Sequence, residues 1–171
     1  MQWTVVDNIL KNLSSNLDSI INELDNSSNN IGELNPKITD SARNFLTSEF
    51  GNLPLDISSL SNKLKSLKNH IDKLSYNDFR YDDKTSAYAY TSPLSNNIWL
   101  GDEFFNASDT GGFDTKEGTI LHEVTHFSKT LWTKDITYIK DEMKLLPDNG
   151  IFKNKQRNAN NWEYFYENLV E

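Results

Sequence analysis

Cysteine is absent from this chain of 171 residues, so no disulfide holds its fold and its stability comes from packing alone. No apolar run approaches the roughly 18–20 residues that a membrane-crossing helix requires, which excludes that kind of segment. Positive charge is in deficit. Seventeen lysines and arginines face 25 aspartates and glutamates, leaving a net charge of −8 and a pI near 4.9. A phosphate backbone demands a basic face, so nucleic acid is excluded as a partner, and an acidic surface favours cationic peptides instead. Histidine is scarce too, with three in the chain. What is present is a 36% apolar and 12% aromatic content, sufficient for one domain with its own core.

The first third reads as amphipathic helix. Over residues 3–25 the apolar positions Val6, Ile9, Leu10, Leu13, Leu17, Ile20, Ile21 and Leu24 recur at steps of three and four. Asp25-Asn26-Ser27-Ser28-Asn29-Asn30 is a polar turn, and it is no calcium loop because the required sixth-position glycine is Asn30. A second helix is expected from Thr39 to Phe50, with Pro36 just before it, and a third from Ile57 to Leu74 with the stripe Leu60, Leu64, Leu67 and Ile71. After Ser75 the pattern changes. Phe79 to Tyr81, Ala87 to Thr91 and Ile98 to Leu100 are short, aromatic-rich and separated by turn residues, as in a small sheet. Gly111-Gly112 forms a loop ahead of a further helix, and Pro147-Asp148-Asn149-Gly150 separates the last two helices. The fold class is α+β, mostly helical with a small β-sheet. A single domain over 1–171 is expected, with N-terminal helices at about 3–75, the sheet at about 78–101 and the remaining helices at about 117–170.

Two of the three histidines stand in His122-Glu123-Val124-Thr125-His126. Side chains four residues apart share a helix face, so both imidazoles can reach one metal ion at about 2.0–2.1 Å, the bond length zinc prefers. Glu123 lies a step round the helix, placed to take a proton from an activated water. The bland alternative is a polar helix face without a metal. The third histidine, His70, lies in the polar stretch Lys68-Asn69-His70-Ile71-Asp72 and reads as an ordinary surface residue. A third protein ligand is therefore expected to be a carboxylate. Asp135 follows His126 by nine residues, and Glu142 lies further on in Asp141-Glu142-Met143-Lys144. Asp135 could equally cap a helix running from Ile136 to Leu146. Spacing leaves Asp135 and Glu142 both open.

The order of these blocks resembles a known family. Gly118-Thr119-x-x-His122-Glu123-x-Thr125-His126-Phe127, followed by Thr133-x-Asp135-x-x-Tyr138, is similar to the deuterolysin and peptidyl-Lys metalloendopeptidase family, the aspzincins. Asn158-Ala159-Asn160-Asn161-Trp162-Glu163-Tyr164-Phe165 resembles that family's downstream Asn-Ala-Asp-Asn-Tyr-Glu-Tyr-Phe block. Ala87-Tyr88-Ala89-Tyr90 and the stretch from Asn97 to Phe105 resemble its strand and the loop leading to the metal helix. Over the first third the similarity is weak, although Glu49-Phe50-Gly51 echoes a Trp-Phe-Gly of the family. The resemblance implies a zincin-like metallopeptidase fold holding one Zn2+ ion. It implies His122, His126 and Asp135 as ligands, Glu123 as general base, and Tyr138 as the hydroxyl that stabilises the oxyanion.

Two departures stand out. Trp132 and Ile139 occupy positions near Asp135 where the family has glycine. In lysine-specific members an aspartate and a glutamate of the downstream block line the substrate pocket, and here those positions are Asn160 and Glu163. One carboxylate remains for a lysine ammonium, so a weakened lysine preference is expected; otherwise Glu163 would face solvent on an amphipathic C-terminal helix. The implied activity is zinc-dependent endopeptidase, acting as a monomer on peptide or protein, with the stretch Asn97 to Gly101 as an edge for extended substrate. Met1-Gln2-Trp3-Thr4-Val5-Val6-Asp7 lacks the basic start and apolar core of a signal peptide. Secretion, or delivery to a target cell, is the expectation that the family carries, and a protease toxin is one form of it. The alternatives are an inactive zincin-like binding module and a peptidase of gluzincin type using Glu142.

Overall fold

Apolar side chains at steps of three and four make the first layer of the molecule. The computed structural model describes residues 3–27, 30–47, 55–147 and 154–170. Helix α1 spans Trp3–Asn26 and buries Val6, Ile9, Leu10, Leu13, Leu17, Ile20, Ile21 and Leu24, the stripe read from the sequence. Helix α3, Leu55–Ile71, lays Leu60, Leu64, Leu67 and Ile71 against it. Helix α2, Pro36–Phe45, starts earlier than expected. Pro36 sits inside the first turn, where its fixed φ suits the helix and no N–H is needed, and Asn35 caps it by accepting from Lys37 N. The helix also ends earlier, at Phe45 with Leu46 as its cap, while Phe50, the Glu49-Phe50-Gly51 echo and most of the Pro147 to Gly150 turn lie outside the described residues.

Three short strands follow: β1 (Phe79–Tyr81), β2 (Ala89–Thr91) and β3 (Ile98–Leu100), in the order β1-β3-β2. β3 runs parallel to β1 and antiparallel to β2. This corrects the expectation for Asn97 to Gly101. β3 is the central strand, its backbone taken on both sides, and the edge packed beside the histidine helix is β2.

The second half comprises α4 (Asp102–Asn106), α5 (Lys116–His126), α6 (Lys140–Leu145) and α7 (Ala159–Glu167). α5 is the axis of the molecule, touched by α1, α3, α4, β2 and α7, and every one of its residues is buried. A buried helix carrying Glu117, Thr119, His122, Glu123, Thr125 and His126 must find partners for those groups, and α7 supplies several. α6 is shorter than expected, because residues 136–139 form a connecting segment rather than helix. Asp135 therefore caps nothing.

His70 departs from its expected role as a surface residue. Its ring packs on Phe127, with centroids 4.8 Å apart, and its Nε2 is sealed from solvent without a hydrogen-bond partner. Burial pushes its pKa down, and Lys129 and Lys73 push the same way.

Candidate active site

α5 begins where Thr115 caps it, its hydroxyl accepting from Gly118 N at 2.9 Å. Glu167, at the end of α7, grips the same turn. It accepts from Thr115 N at 2.7 Å, from the Thr115 hydroxyl at 2.8 Å and from Asp114 N at 3.2 Å. Gly118 makes this approach possible, since a Cβ there would stand 2.1 Å from Glu167 Oε1. Burial, with repulsion from Glu163 adding to it, pushes the Glu167 carboxyl up to about 8 in spite of these donors.

At the C-terminal end of α5, with His126 its last residue and His122 one turn before it, the two histidines are fixed through their Nδ1 atoms. His122 Nδ1 lies 2.9 Å from Glu163 Oε2, and His126 Nδ1 lies 3.2 Å from the Thr133 carbonyl. With Nδ1–H donating to each oxygen, both Nε2 atoms carry their lone pairs into the cavity, the tautomer a metal ligand needs. Asp135 Oδ1 meets them there, 3.0 Å from His122 Nε2 and 3.3 Å from His126 Nε2. Tetrahedral ligands at about 2.0–2.1 Å from zinc lie roughly 3.3 Å apart, and Asp135 Oδ1 stands near that distance from each of the two nitrogens. His122, Glu123 and His126 also cluster with one donor atom from each within 4.8 Å of the others. Burial works against a charged His122, yet Asp135 and Glu163 hold its pKa well above the ordinary value, so a metal ion would take the place of the proton between Nε2 and Asp135. Burial likewise opposes a charged Asp135, and the two imidazoles outweigh it, keeping that carboxyl well below the usual range.

Asp135 reaches the histidines because the chain on either side of it is stitched down. Thr133 N donates to Thr125 O at 3.1 Å, and the two threonine hydroxyls meet at 2.7 Å. Lys134 N donates to Arg157 O at 2.9 Å, and Ala159 N donates to Lys134 O at 3.0 Å. Asn158, fully buried, accepts from Ile136 N at 2.8 Å and donates to Thr137 O at 2.9 Å. Asn158 is thus a positioning residue for the Asp135 loop. It opens the downstream block, yet its task was hidden because the loop it holds lies some twenty residues earlier. Glu142, the alternative carboxylate, instead accepts the Thr137 hydroxyl at 2.6 Å on the surface.

Glu123 and Tyr138 border the same cavity of about 400 Å3. Glu123 is 5% exposed, and burial raises its pKa while the two histidines pull it back. Tyr138 is 61% exposed, so it is no core aromatic; its ring lies nearly parallel to that of His122 at 6.3 Å. Partial burial, then the neighbouring Asp135 carboxylate, raises its pKa. Asn160 and Glu163 line the cavity as well, and Glu163 is buried rather than facing solvent. Glu163 Oε2 is shared between His122 Nδ1 and Asn160 Nδ2, the latter at 3.2 Å. Asn160 Oδ1 is buried without a partner.

Comparison with known proteins gives the family and the fold. The sequence profile of a family described as Lysine-specific metallo-endopeptidase, the aspzincins, matches residues 53–167. The chain is 34% identical over 101 residues to a peptidyl-Lys metalloendopeptidase of Armillaria mellea, covering 54% of this chain and 27% of that protein. It is 36% identical over 88 residues to the Grifola frondosa protein of the same name, covering 49% and 23%. An extracellular protease of Aeromonas hydrophila is 36% identical over 86 residues, covering 50% and 24%. The chain thus spans about a quarter of the length of these curated relatives. In three dimensions it resembles a zinc peptidase from Grifola frondosa with a TM-score of 0.65 and 23% identity, over 94% of this chain and 90% of that one. That likeness bears on the fold, which is the expected α+β, zincin-like one.

Proposed function

This chain belongs to the aspzincin family of lysine-specific metallo-endopeptidases, and from that premise we propose that it is a zinc-dependent endopeptidase. The observation that carries the proposal is Asp135 Oδ1 standing 3.0 Å from His122 Nε2 and 3.3 Å from His126 Nε2, with both Nδ1 atoms already satisfied. These three residues would hold one Zn2+ ion. The chemistry a zinc ion supplies when bound is Lewis acidity, acidifying a water and polarising a peptide carbonyl.

The protein's own groups do the rest. Glu123 accepts the proton of the attacking water, a task its raised pKa and buried position suit, and later delivers it to the leaving amine. The Tyr138 hydroxyl donates to the carbonyl oxygen as negative charge gathers on it. Glu163 has two tasks: it orients His122 and contributes negative charge to the pocket wall. Asn160 offers its orphaned Oδ1 to a substrate N–H, which favours a lysine ammonium on the leaving-group side of the bond. The extended substrate backbone lies along β2, whose residues Ala89, Tyr90 and Thr91 line the cavity. The substrate is a peptide or protein, and the chain acts as a single-domain monomer outside the cell that makes it. Among the described residues no helix is long and apolar enough to cross a membrane.

Metal analysis of the purified protein tests the site. One zinc per chain is expected, lost in His122→Ala, His126→Ala and Asp135→Ala and kept in Glu142→Ala. Metal retained in both histidine variants would sink the site. Metal lost from Glu142→Ala and kept in Asp135→Ala would transfer the third ligand to Glu142.

A further inference from the structure

The cavity around the histidines is lined by four carboxylates, Asp114, Glu123, Asp135 and Glu163, and by no lysine or arginine among the described residues. Glu123 and Asp135 belong to the metal centre. Glu163 shares one oxygen between His122 and Asn160, so part of its charge is already balanced. A lysine ammonium leaving water for this pocket needs more counter-charge than Glu163 has free. Asp114 has no role in the metal centre, and it comes from the loop before α5 rather than from the downstream block.

The structure holds Asp114 in place deliberately from two sides. Its backbone is in the left-handed region, at φ 56, a conformation that aspartate and asparagine tolerate better than most residues other than glycine. Its N–H is bound by Glu167, and its Oδ1 accepts from the Tyr164 hydroxyl at 3.3 Å. Asn160, Glu163, Tyr164 and Glu167 follow one another on α7 at steps of three, one and three, along the side of that helix that meets α5 and its N-terminal loop. Two of them anchor Asp114 and the other two line the pocket. Burial raises the pKa of both Tyr88 and Tyr164, and the charges of Asp114 and Glu163 push the same way.

Resting on the peptidase reading above, we propose that Asp114 is the second acidic group of the substrate pocket, supplying the counter-charge for a lysine side chain that Asn160 cannot. The lysine stem lies against the pocket wall while its ammonium sits between the Asp114 carboxylate, the Asn160 carbonyl and Glu163.

Asp114→Asn isolates the charge. Asparagine tolerates the left-handed conformation and still accepts from Tyr164, so only the negative charge is removed. The measurement is kcat/KM for paired peptides with lysine or its uncharged analogue norleucine after the scissile bond. In Asp114→Asn the lysine-to-norleucine ratio should fall about tenfold, with norleucine cleavage within about twofold of the parent, as suits an ion pair open to solvent on one side. Calorimetric binding of the same two peptides to Glu123→Gln, with and without Asp114→Asn, should show the same loss for lysine alone. An unchanged ratio would overturn the proposal, and so would an equal fall for both peptides, which would make Asp114 a structural part of the turn. A parent that cleaves neither peptide would instead remove the peptidase reading itself, a different result from failure at Asp114.

Discussion

The α1–α3 layer and the α5–α7 pair are both tight helix packings, but they are held by different physics. Between α1 and α3 the contact is apolar, Leu13, Leu17, Leu64 and Leu67 all being fully buried. Charged pairs such as Lys65–Asp25 at 2.7 Å stay at the solvent edge, where they contribute little. Between α5 and α7 the contact is crowded with polar groups. Glu163 meets His122, Glu167 meets Thr115, and Tyr166 and Asn16 share the buried Glu117 carboxylate. Apolar burial is non-directional and gives stability without fixing position finely. Hydrogen-bonded burial is directional, costly when incomplete, and fixes side chains to fractions of an ångström. A metal centre needs the second kind of contact, and the first layer supplies the stability that the second does not.

The sharpest way to break the comparison is at the chemistry. Glu123→Gln should lower peptide cleavage by roughly 10²–10⁴-fold, because an amide cannot take the proton from water. Zinc content and thermal midpoint should stay near the parent values, since glutamine keeps the shape of the buried side chain and the proposed ligands are His122, His126 and Asp135. Cleavage at the parental rate would show that another group is the base.

The complementary break is in the first layer. Leu17→Ala removes a fully buried side chain and should cost about 2–5 kcal/mol in a denaturant titration. Activity per folded molecule and zinc stoichiometry should be unchanged, because Leu17 does not line the cavity and the two histidines are held through Glu163 and Thr133. Loss of zinc from the folded variant would mean that the two regions are coupled more tightly than their contacts suggest.

This division also explains what could be read from the sequence. The α1 and α3 stripes were legible because apolar periodicity is the signal that apolar packing leaves, and β1 and β3 were bounded by their turn residues. α5 was legible through chemistry instead, as two histidines and a glutamate on one face. In the sequence only the resemblance favours Asp135 over Glu142, since the place of Asp135 beside the histidines depends on Asn158 holding the loop across about twenty residues. Asp114 was missed altogether. Its partner Tyr164 lies 50 residues away, and the Gly111-Gly112 stretch before it reads as plain loop. The central place of β3 was hidden for the same reason: three-residue strands carry no sign of their order. His70 looked polar because its apolar neighbour, Phe127, belongs to another part of the chain.

The smallest expected effect sharpens the comparison at a point where local preference conflicts with the fold. Trp132 stands where the resemblance called for glycine, and the backbone there has φ 50, so the conformation that favours glycine is kept with a tryptophan in it. The left-handed region costs such a residue roughly 1–2 kcal/mol. The ring is 57% exposed, which leaves little burial to offset that cost. Trp132→Gly should therefore relieve strain, less about 0.5–1 kcal/mol for the added freedom of glycine in the unfolded chain. A gain of about 0.5–1 kcal/mol in a denaturant titration is expected, with zinc content and activity unchanged, because Thr133 and Lys134 keep their own backbone bonds to Thr125 and Arg157. A loss of stability would mean that the exposed indole holds the loop by packing. A loss of zinc without loss of stability would mean that the tryptophan, rather than the hydrogen bonds around it, aims Asp135 at the histidines.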